Sequence, residues 1–247
     1  MIRDEASRRR AIRMQRLVLG LSRHWLRFVI VFFGLYVGLP FAAPVLMEAG
    51  ATGPARVIYT IYGPMCHQFA FRSWFLFGEQ PAYPRAQAGV AGLRPFEEYA
   101  SQDPTFSRIP NLSEWSADLQ ILSRSFVGNP QMGYKVALCE RDVAIYGALF
   151  LASIGFAFVR RRLRPVPLWL YLILGLGPIG LDGFSQLLSN PPLSLWPARE
   201  STPLLRTVTG ALFGLMNAWL ALPYLEQSMR ESEAELVEKL RSAGELD

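Results

Sequence analysis

Two cysteines of this chain, 73 positions apart, each stand in a compact polar group that borders a long apolar segment. The first group is Cys66-His67-Gln68, followed by Arg72-Ser73, and the second is Cys139-Glu140-Arg141-Asp142. Titratable side chains are costly near membrane-spanning segments and mark functional sites there. The sequence therefore predicts a site to which both groups contribute.

Four of these side chains, Cys66, His67, Cys139 and Asp142, are of types that can ligate a metal ion. Cys139 and Asp142 also have the two-residue separation of a zinc knuckle. A disulfide between Cys66 and Cys139 is the rival interpretation, because it would close a large loop in an oxidising compartment. A nucleophilic thiol activated by His67, and a pair of reduced, packed cysteines, stay open as further alternatives.

Length and composition indicate the class of protein that carries these groups. The chain has 247 residues, of which 51% are hydrophobic and 18% are charged, and its apolar residues fall into long blocks. Each block can cross a hydrocarbon core of roughly 30 Å as a helix. We therefore expect an all-α membrane protein with four transmembrane helices. These are residues 28–47, 143–159, 166–188 and 204–225.

Arginines set the expected orientation of the four helices. Eight arginines lie in the basic segment 1–27, and four more lie between Arg160 and Arg164. Such clusters stay on the cytoplasmic side, which predicts a multi-pass protein of the inner (plasma) membrane with both termini cytoplasmic. Segment 226–247 is then a charged cytoplasmic tail that continues the fourth helix. The net charge of +5 belongs to these membrane edges, so no nucleic-acid partner is expected.

The segment 48–142 then lies outside. Its stretch 55–77 is rich in aromatic residues, which predicts an interfacial helix. Residues 80–135 contain many Gly, Pro and polar residues and are expected to be mostly loop. Within them, Asn111 and Glu114 have the spacing of a helix cap, and apolar residues recur every three or four positions up to Phe126. An amphipathic helix is expected to begin at Asn111.

Further polar residues are predicted at the same depth. Asp182 lies near the outer end of the third helix, and Arg206 opens the fourth. The two could neutralise each other, or Arg206 could bind a phosphate or carboxylate group. Gly210 and Gly214 form a GxxxG pattern, which predicts close helix packing. The full polar site expected near the outer leaflet comprises Gln68, Arg72, Arg141, Asp182, Gln186, Arg206 and Thr209.

Read in order from about Tyr62 to Asn217, these motifs resemble an uncharacterised family of bacterial and archaeal membrane proteins, domain-of-unknown-function family 2085. The resemblance implies a set of three cysteines and one histidine. This chain departs from it at Asp142, which replaces a cysteine, and in residues 80–135, which look like an insertion. The motifs are Cys66-His67-Gln68, Arg72-Ser73, Cys139-Glu140-Arg141-Asp142, Ile145-Tyr146-Gly147, Asp182-Gly183-Phe184-Ser185-Gln186 and Arg206-Thr207-Val208-Thr209-Gly210.

Three classes of function are compatible with these observations. We favour a non-enzymatic accessory or scaffold subunit whose zinc site or disulfide fixes the outer segment. The alternatives are an enzyme acting on a lipid or isoprenoid-type substrate at the outer leaflet, and a transporter. The expected partners are the lipid bilayer and other membrane subunits or further copies of the chain. Nucleotide-binding and zinc-protease motifs do not occur in the sequence.

Overall fold

The computed structural model describes residues 2–246, with the side chains of 7–246; Met1 and Asp247, the termini expected in the cytoplasm, lie outside the described residues. The fold is mostly helical. Among the described residues, four helices are long and apolar enough to cross a membrane, which confirms the expected fold class. These spans are Ser7–Glu48, Glu140–Val159, Leu168–Ser189 and Pro203–Ser242.

Helix bounds extend the predicted spans at most of their ends. Helix α1 (Ile2–Glu48) carries the basic segment and the first span as one continuous helix. Helix α5 (Glu140–Val159) is the second span. Helix α8 (Pro203–Ser242) contains the fourth span and continues into the charged tail, as predicted. The third span consists of α6 (Leu168–Leu170), a π-helical segment (Tyr171–Leu176) and α7 (Gly177–Ser189).

The segment between the first two spans folds differently from the expectation. Helix α2 (Thr52–Tyr62) covers only the first part of the stretch 55–77, and the chain then enters strand β1 (Ser73–Leu76). Several aromatic residues of this stretch face a protein core, and the helix ends at Tyr62, so a helix over all of 55–77 is wrong. Phe69, Phe71 and Phe75 are each buried in that core.

Residues 80–135 are mostly irregular, as the predicted loop implies, but they belong to a folded unit. Strands β2 (Gly128–Asn129) and β3 (Gly133–Cys139) pair with β1 in the antiparallel order β1-β3-β2. Tyr83, Phe96 and Phe106 pack with the aromatic residues of 69–75 in one core. We call residues 63–138 the extramembrane domain, because they stand between the first two spans and form their own core.

The amphipathic helix of this domain begins later than expected. Helix α3 (Phe96–Ala100) is a single short turn, and α4 (Ala117–Ser125) is capped by Ser116, whose hydroxyl accepts the backbone N–H of Leu119 at 3.2 Å. Asn111 instead accepts the backbone N–H of Ser113 at 3.0 Å, in a turn. Asn and Ser are both favoured at helix N-caps, and in this structure Ser116 caps the helix.

Helices α5 and α8 pack closely along the GxxxG pattern. A Cβ atom on Gly214 would overlap the carbonyl oxygen of Ile145, and one on Gly210 would lie 2.7 Å from the carbonyl oxygen of Arg141. Only glycine permits this approach of the two backbones, as predicted for these positions. The contact fixes the start of α5 against the start of α8, where the polar residues lie.

Candidate functional site

The β1–β3 pairing brings the two cysteine groups together. Strand β1 follows Cys66 by a few residues, and Ser73 of β1 lies opposite Cys139, the last residue of β3. Helix α5 begins at the next residue, Glu140. An antiparallel strand pair that leads directly into a membrane helix therefore places residues 66–73 beside residues 139–142.

Cys66, Cys139 and Asp142 form a compact group, here called the thiol cluster. Their two sulfur atoms and one carboxylate oxygen all lie within 4.8 Å of one another. Tetrahedral ligands at a Zn–S distance of about 2.3 Å are about 3.8 Å apart, so side-chain shifts of about 1 Å bring all three to one ion. Both cysteines are free thiols in this structure.

Backbone groups around the thiol cluster favour a negatively charged sulfur. The Sγ of Cys66 accepts the backbone N–H of Gln68 at 3.5 Å and that of Cys139 at 3.2 Å. Cys139 is the N-cap of α5 and Asp142 lies in its first turn, where the helix dipole stabilises anions. Amide donors that fix a thiolate are typical partners of a metal-binding cysteine.

Proximity to Cys66 opposes ionisation of the Cys139 thiol when no cation is present. The hydrogen bond with Cys66 and burial both raise the pKa of the Cys139 thiol well above its ordinary value. Two thiolates this close repel each other in a poorly solvated place. A metal cation removes that repulsion, so binding would be coupled to release of protons.

His67 and Gln68 do not join the thiol cluster. His67 is exposed, and its ring lies 5.4 Å from that of Phe69. Gln68 is buried with a positive φ of 52°, and its side-chain amide donates to the carbonyl oxygen of Tyr59 at 3.0 Å. Of the four predicted zinc ligands, the structure therefore brings together three. His67 does line a surface cavity of about 140 Å³ that reaches Cys66, which gives solutes a path to the cluster.

A fully buried lysine fixes the turn at Gln68. The Nζ of Lys135 donates to the carbonyl oxygens of Gln68, Ser123 and Arg124 at 2.6, 3.3 and 2.7 Å. Burial lowers the pKa of Lys135 to about 7. Lys135 thus joins strand β3, helix α4 and the Cys66 turn in one hydrogen-bonded unit.

The remaining predicted polar residues divide between a second group and isolated positions. Arg141 and Arg199 both form ion pairs with Asp182, the latter at 3.1 Å, and the hydroxyl of Ser201 donates to Asp182 at 2.9 Å. Asp182 is 4% exposed, so these partners replace its contacts with water. The side-chain amide of Gln186 donates to the same carboxylate at 3.3 Å.

Glu200 connects the extramembrane domain to the fourth span. Its carboxylate accepts two hydrogen bonds from Arg72, at 2.8 and 2.9 Å, and it also pairs with Arg206. Arg206 donates to Gln186 Oε1 at 2.8 Å, and its Nε lies 3.7 Å from the carboxylate of Glu140. The expected direct pair of Asp182 and Arg206 is therefore replaced by a bridge through Gln186.

We call this second group the arginine network. Five of its members were expected from the sequence. These are Arg72, Arg141, Asp182, Gln186 and Arg206. Thr209 is not part of it, because its hydroxyl donates to the carbonyl oxygen of Leu205 in its own helix at 2.8 Å. Glu140 was expected only as part of the second cysteine group. Three further members were not expected, and their only signal in the sequence is that they are consecutive in a short loop between two spans. These are Arg199, Glu200 and Ser201.

The start of α5 thus serves two groups at once. Cys139 and Asp142 are three positions apart and share one face of the helix start, where they meet Cys66. Glu140 and Arg141 contact the third and fourth spans instead. The single converging site expected from the sequence is therefore two adjoining groups.

The fold and the two groups define a membrane protein with four spans and a folded extramembrane domain. Residues 120–220 match the model of a family described as a predicted membrane protein (DUF2085), which confirms the resemblance seen in the motifs. An uncharacterised protein of Methanocaldococcus jannaschii is 22% identical over 209 residues, covering 82% of this chain and 93% of that protein. No solved structure matches the chain. The family match includes the members of the arginine network from Glu140 to Arg206 but begins after Cys66 and Arg72.

Proposed function

We propose that the chain is a non-enzymatic accessory or scaffold protein of the plasma membrane whose thiol cluster binds zinc. The observation that carries this proposal is the meeting of Cys66, Cys139 and Asp142 within 4.8 Å. One ligand comes from the turn after α2, and the other two come from the start of a spanning helix. A zinc ion bound there would fasten the extramembrane domain to the helix bundle.

The donor set fits zinc and leaves room for a fourth ligand. Two thiolates and a carboxylate suit zinc better than the harder cations magnesium and calcium, which prefer oxygen alone. His67 is the only histidine in the extramembrane domain, and it is not placed to act as a base toward either sulfur. This arrangement gives less support to an enzyme acting on a lipid or isoprenoid-type substrate at the outer leaflet.

Metal analysis of purified protein, together with a count of free thiols, tests this proposal. We expect about one zinc per chain, and both thiols to become reactive after chelation. Asp142→Asn should lose zinc, whereas Asp118→Asn should keep it, because Asp118 also lies in the first turn of a helix but has no thiol nearby. His67→Ala should keep zinc as well. A chain without zinc and without reactive thiols would support the disulfide instead.

The proposed orientation places the extramembrane domain outside the cell and both termini in the cytoplasm. It rests on the arginine clusters of 1–27 and 160–164. Ser107 is exposed in the extramembrane domain, so Ser107→Cys should react with a membrane-impermeant maleimide in spheroplasts. Labelling only after lysis would reverse the orientation. Association with other membrane subunits, or with further copies of the chain, remains part of the proposal and is measurable by crosslinking in membranes.

A further inference from the structure

A cavity of about 240 Å³ lies between the extramembrane domain and the third span, beside the arginine network. Its walls include the guanidinium groups of Arg72 and Arg141, the ring of Trp115 and the side chains of Gln186 and Asn190. A water molecule occupies about 30 Å³ in the liquid, so the cavity can hold a group much larger than one water. Neither the thiol cluster nor the zinc proposal uses this space.

The arginine network has more positive than negative groups. Its ion pairs contain four guanidinium groups and three carboxyl groups, which leaves one positive charge in excess even when every carboxyl is ionised. Three of the four arginine side chains are 20–37% exposed, and an excess charge on such partly buried groups favours an anionic partner. The four bases are Arg72, Arg141, Arg199 and Arg206, and the three acids are Glu140, Asp182 and Glu200.

Two of these arginines keep hydrogen-bonding capacity at the cavity. Arg141 pairs with Asp182 through Nη2, while its Nη1, which lies beside the cavity-lining Gly183, has no hydrogen-bond partner among the described residues. Arg72 uses Nε and Nη2 to bind Glu200, which leaves donors of its five N–H groups for another acceptor. Guanidinium groups suit the oxygens of a phosphate, which accept several charge-assisted hydrogen bonds.

The cavity also adjoins the surface that faces lipid. Leu187, which is 61% exposed, lines its edge, and Phe184 on the same helix is 64% exposed. Gln186 and Asn190 stand at the end of the third span, at the level of lipid headgroups. An amphiphilic ligand could therefore place its acidic group at the arginines and its apolar part along this helix.

We propose that this cavity binds a phosphate group, carried either by an anionic phospholipid or by a free phosphate ion. Arg141 and Arg72 donate to the phosphate oxygens, and Trp115, whose ring lies 5.0 Å from the Arg72 guanidinium, closes one side. This inference is independent of zinc binding at the thiol cluster.

Thermal unfolding of the full-length protein in detergent micelles tests the inference with three probes. These are phosphatidylglycerol, inorganic phosphate, and a diacylglycerol that lacks phosphate. Stabilisation by phosphatidylglycerol but not by inorganic phosphate identifies a lipid headgroup, and stabilisation by both identifies a site open to free phosphate. Equal stabilisation by the diacylglycerol, or no stabilisation by either phosphate probe, overturns the inference.

Arg199 provides a matched control for Arg141. Both residues pair with Asp182, but Arg199 does not line the cavity. Arg141→Gln should weaken binding of the stabilising probe about tenfold or more, the effect of losing charge-assisted hydrogen bonds. Arg199→Gln should weaken binding less than Arg141→Gln does, because Arg199 adds to the positive charge of the network but does not line the cavity. Equal losses in the two variants would contradict a site at the cavity.

Arg141→Lys covers the case in which Arg141→Gln does not fold. Lysine keeps the positive charge beside Asp182 but cannot present the two-pronged donor of a guanidinium. A folded Arg141→Lys protein should therefore also bind the stabilising probe about tenfold more weakly. Unchanged binding by this variant overturns the assignment of Arg141.

Discussion

Removing the Glu200 carboxylate should strongly destabilise this protein. Its side chain is 2% exposed and accepts hydrogen bonds from two arginines, one in the extramembrane domain and one in the fourth span. Glu200→Gln keeps the shape of the side chain and one acceptor oxygen, but it removes the charge and at least one of the three hydrogen bonds. Each charge-assisted bond contributes about 1.5–3 kcal/mol, and breaking a buried ion pair costs about 3–5 kcal/mol. We expect the free energy of unfolding to fall by about 3–5 kcal/mol.

Equilibrium unfolding in mixed micelles of increasing SDS content measures this loss. Glu235→Gln is the control, because Glu235 forms an ion pair with Lys239 in which both side chains are more than half exposed; no measurable change is expected there. The double variant with Arg72→Gln should show a coupling free energy of about 0.5–3 kcal/mol. A Glu200→Gln protein within 1 kcal/mol of the wild type, or additive effects of the two substitutions, would refute the proposed connection.

Two further substitutions and a pH series test the packing of α5 against α8 and the role of the buried lysine. Gly214→Ala should reduce the free energy of unfolding by about 1–3 kcal/mol, because the new methyl group overlaps the carbonyl oxygen of Ile145; Gly147→Ala, where nothing lies within 4 Å, should leave it unchanged or higher. Lys135→Met should lower the free energy of unfolding by about 3 kcal/mol or more, because three carbonyl oxygens lose their hydrogen-bond donor. Between pH 7 and 10.5 the unfolded chain binds a proton at Lys135 that the folded chain lacks, so wild-type stability should rise with pH relative to Lys135→Met. If the difference in the free energy of unfolding between these two proteins did not change over this pH range, the lowered pKa of Lys135 would be contradicted.

The spans were predictable because their signal is local. A run of apolar residues long enough to cross a bilayer is visible without knowledge of any contact. The glycine contact was predictable for a related reason, since Gly210 and Gly214 stand one helical turn apart on one face. The structure places both against α5, as expected for close packing.

The extramembrane domain was not predictable in the same way. Its core is built from single aromatic residues such as Tyr83, Phe96 and Phe106, which are separated by Gly, Pro and polar residues without a regular period. Composition therefore indicated loop, although the long-range strand pairing organises the segment. At α4, two possible caps compete within six residues, and local sequence does not decide between Asn111 and Ser116.

The candidate site was predictable only in part, because some of its residues have a local signal while their partners depend on long-range folding. Residues beside span ends, such as Asp182 and Arg206, stand out because charge is rare there. Their actual partners depend on how the loop between the third and fourth spans folds back, and this brings Glu200 to Arg206 and Arg199 to Asp182. His67 was expected as a ligand from its position next to Cys66, but adjacent residues point in different directions in this turn, and only Cys66 reaches the thiol cluster.

X-ray absorption at the zinc edge, recorded on zinc-loaded full-length protein, tests the proposed metal site most directly. Ligation by Cys66, Cys139 and Asp142 predicts two sulfur neighbours at about 2.3 Å and lighter neighbours at about 2.0–2.2 Å. Cys139→Ser should remove one of the two sulfur neighbours. A zinc shell of nitrogen and oxygen alone in the wild-type protein would contradict the site.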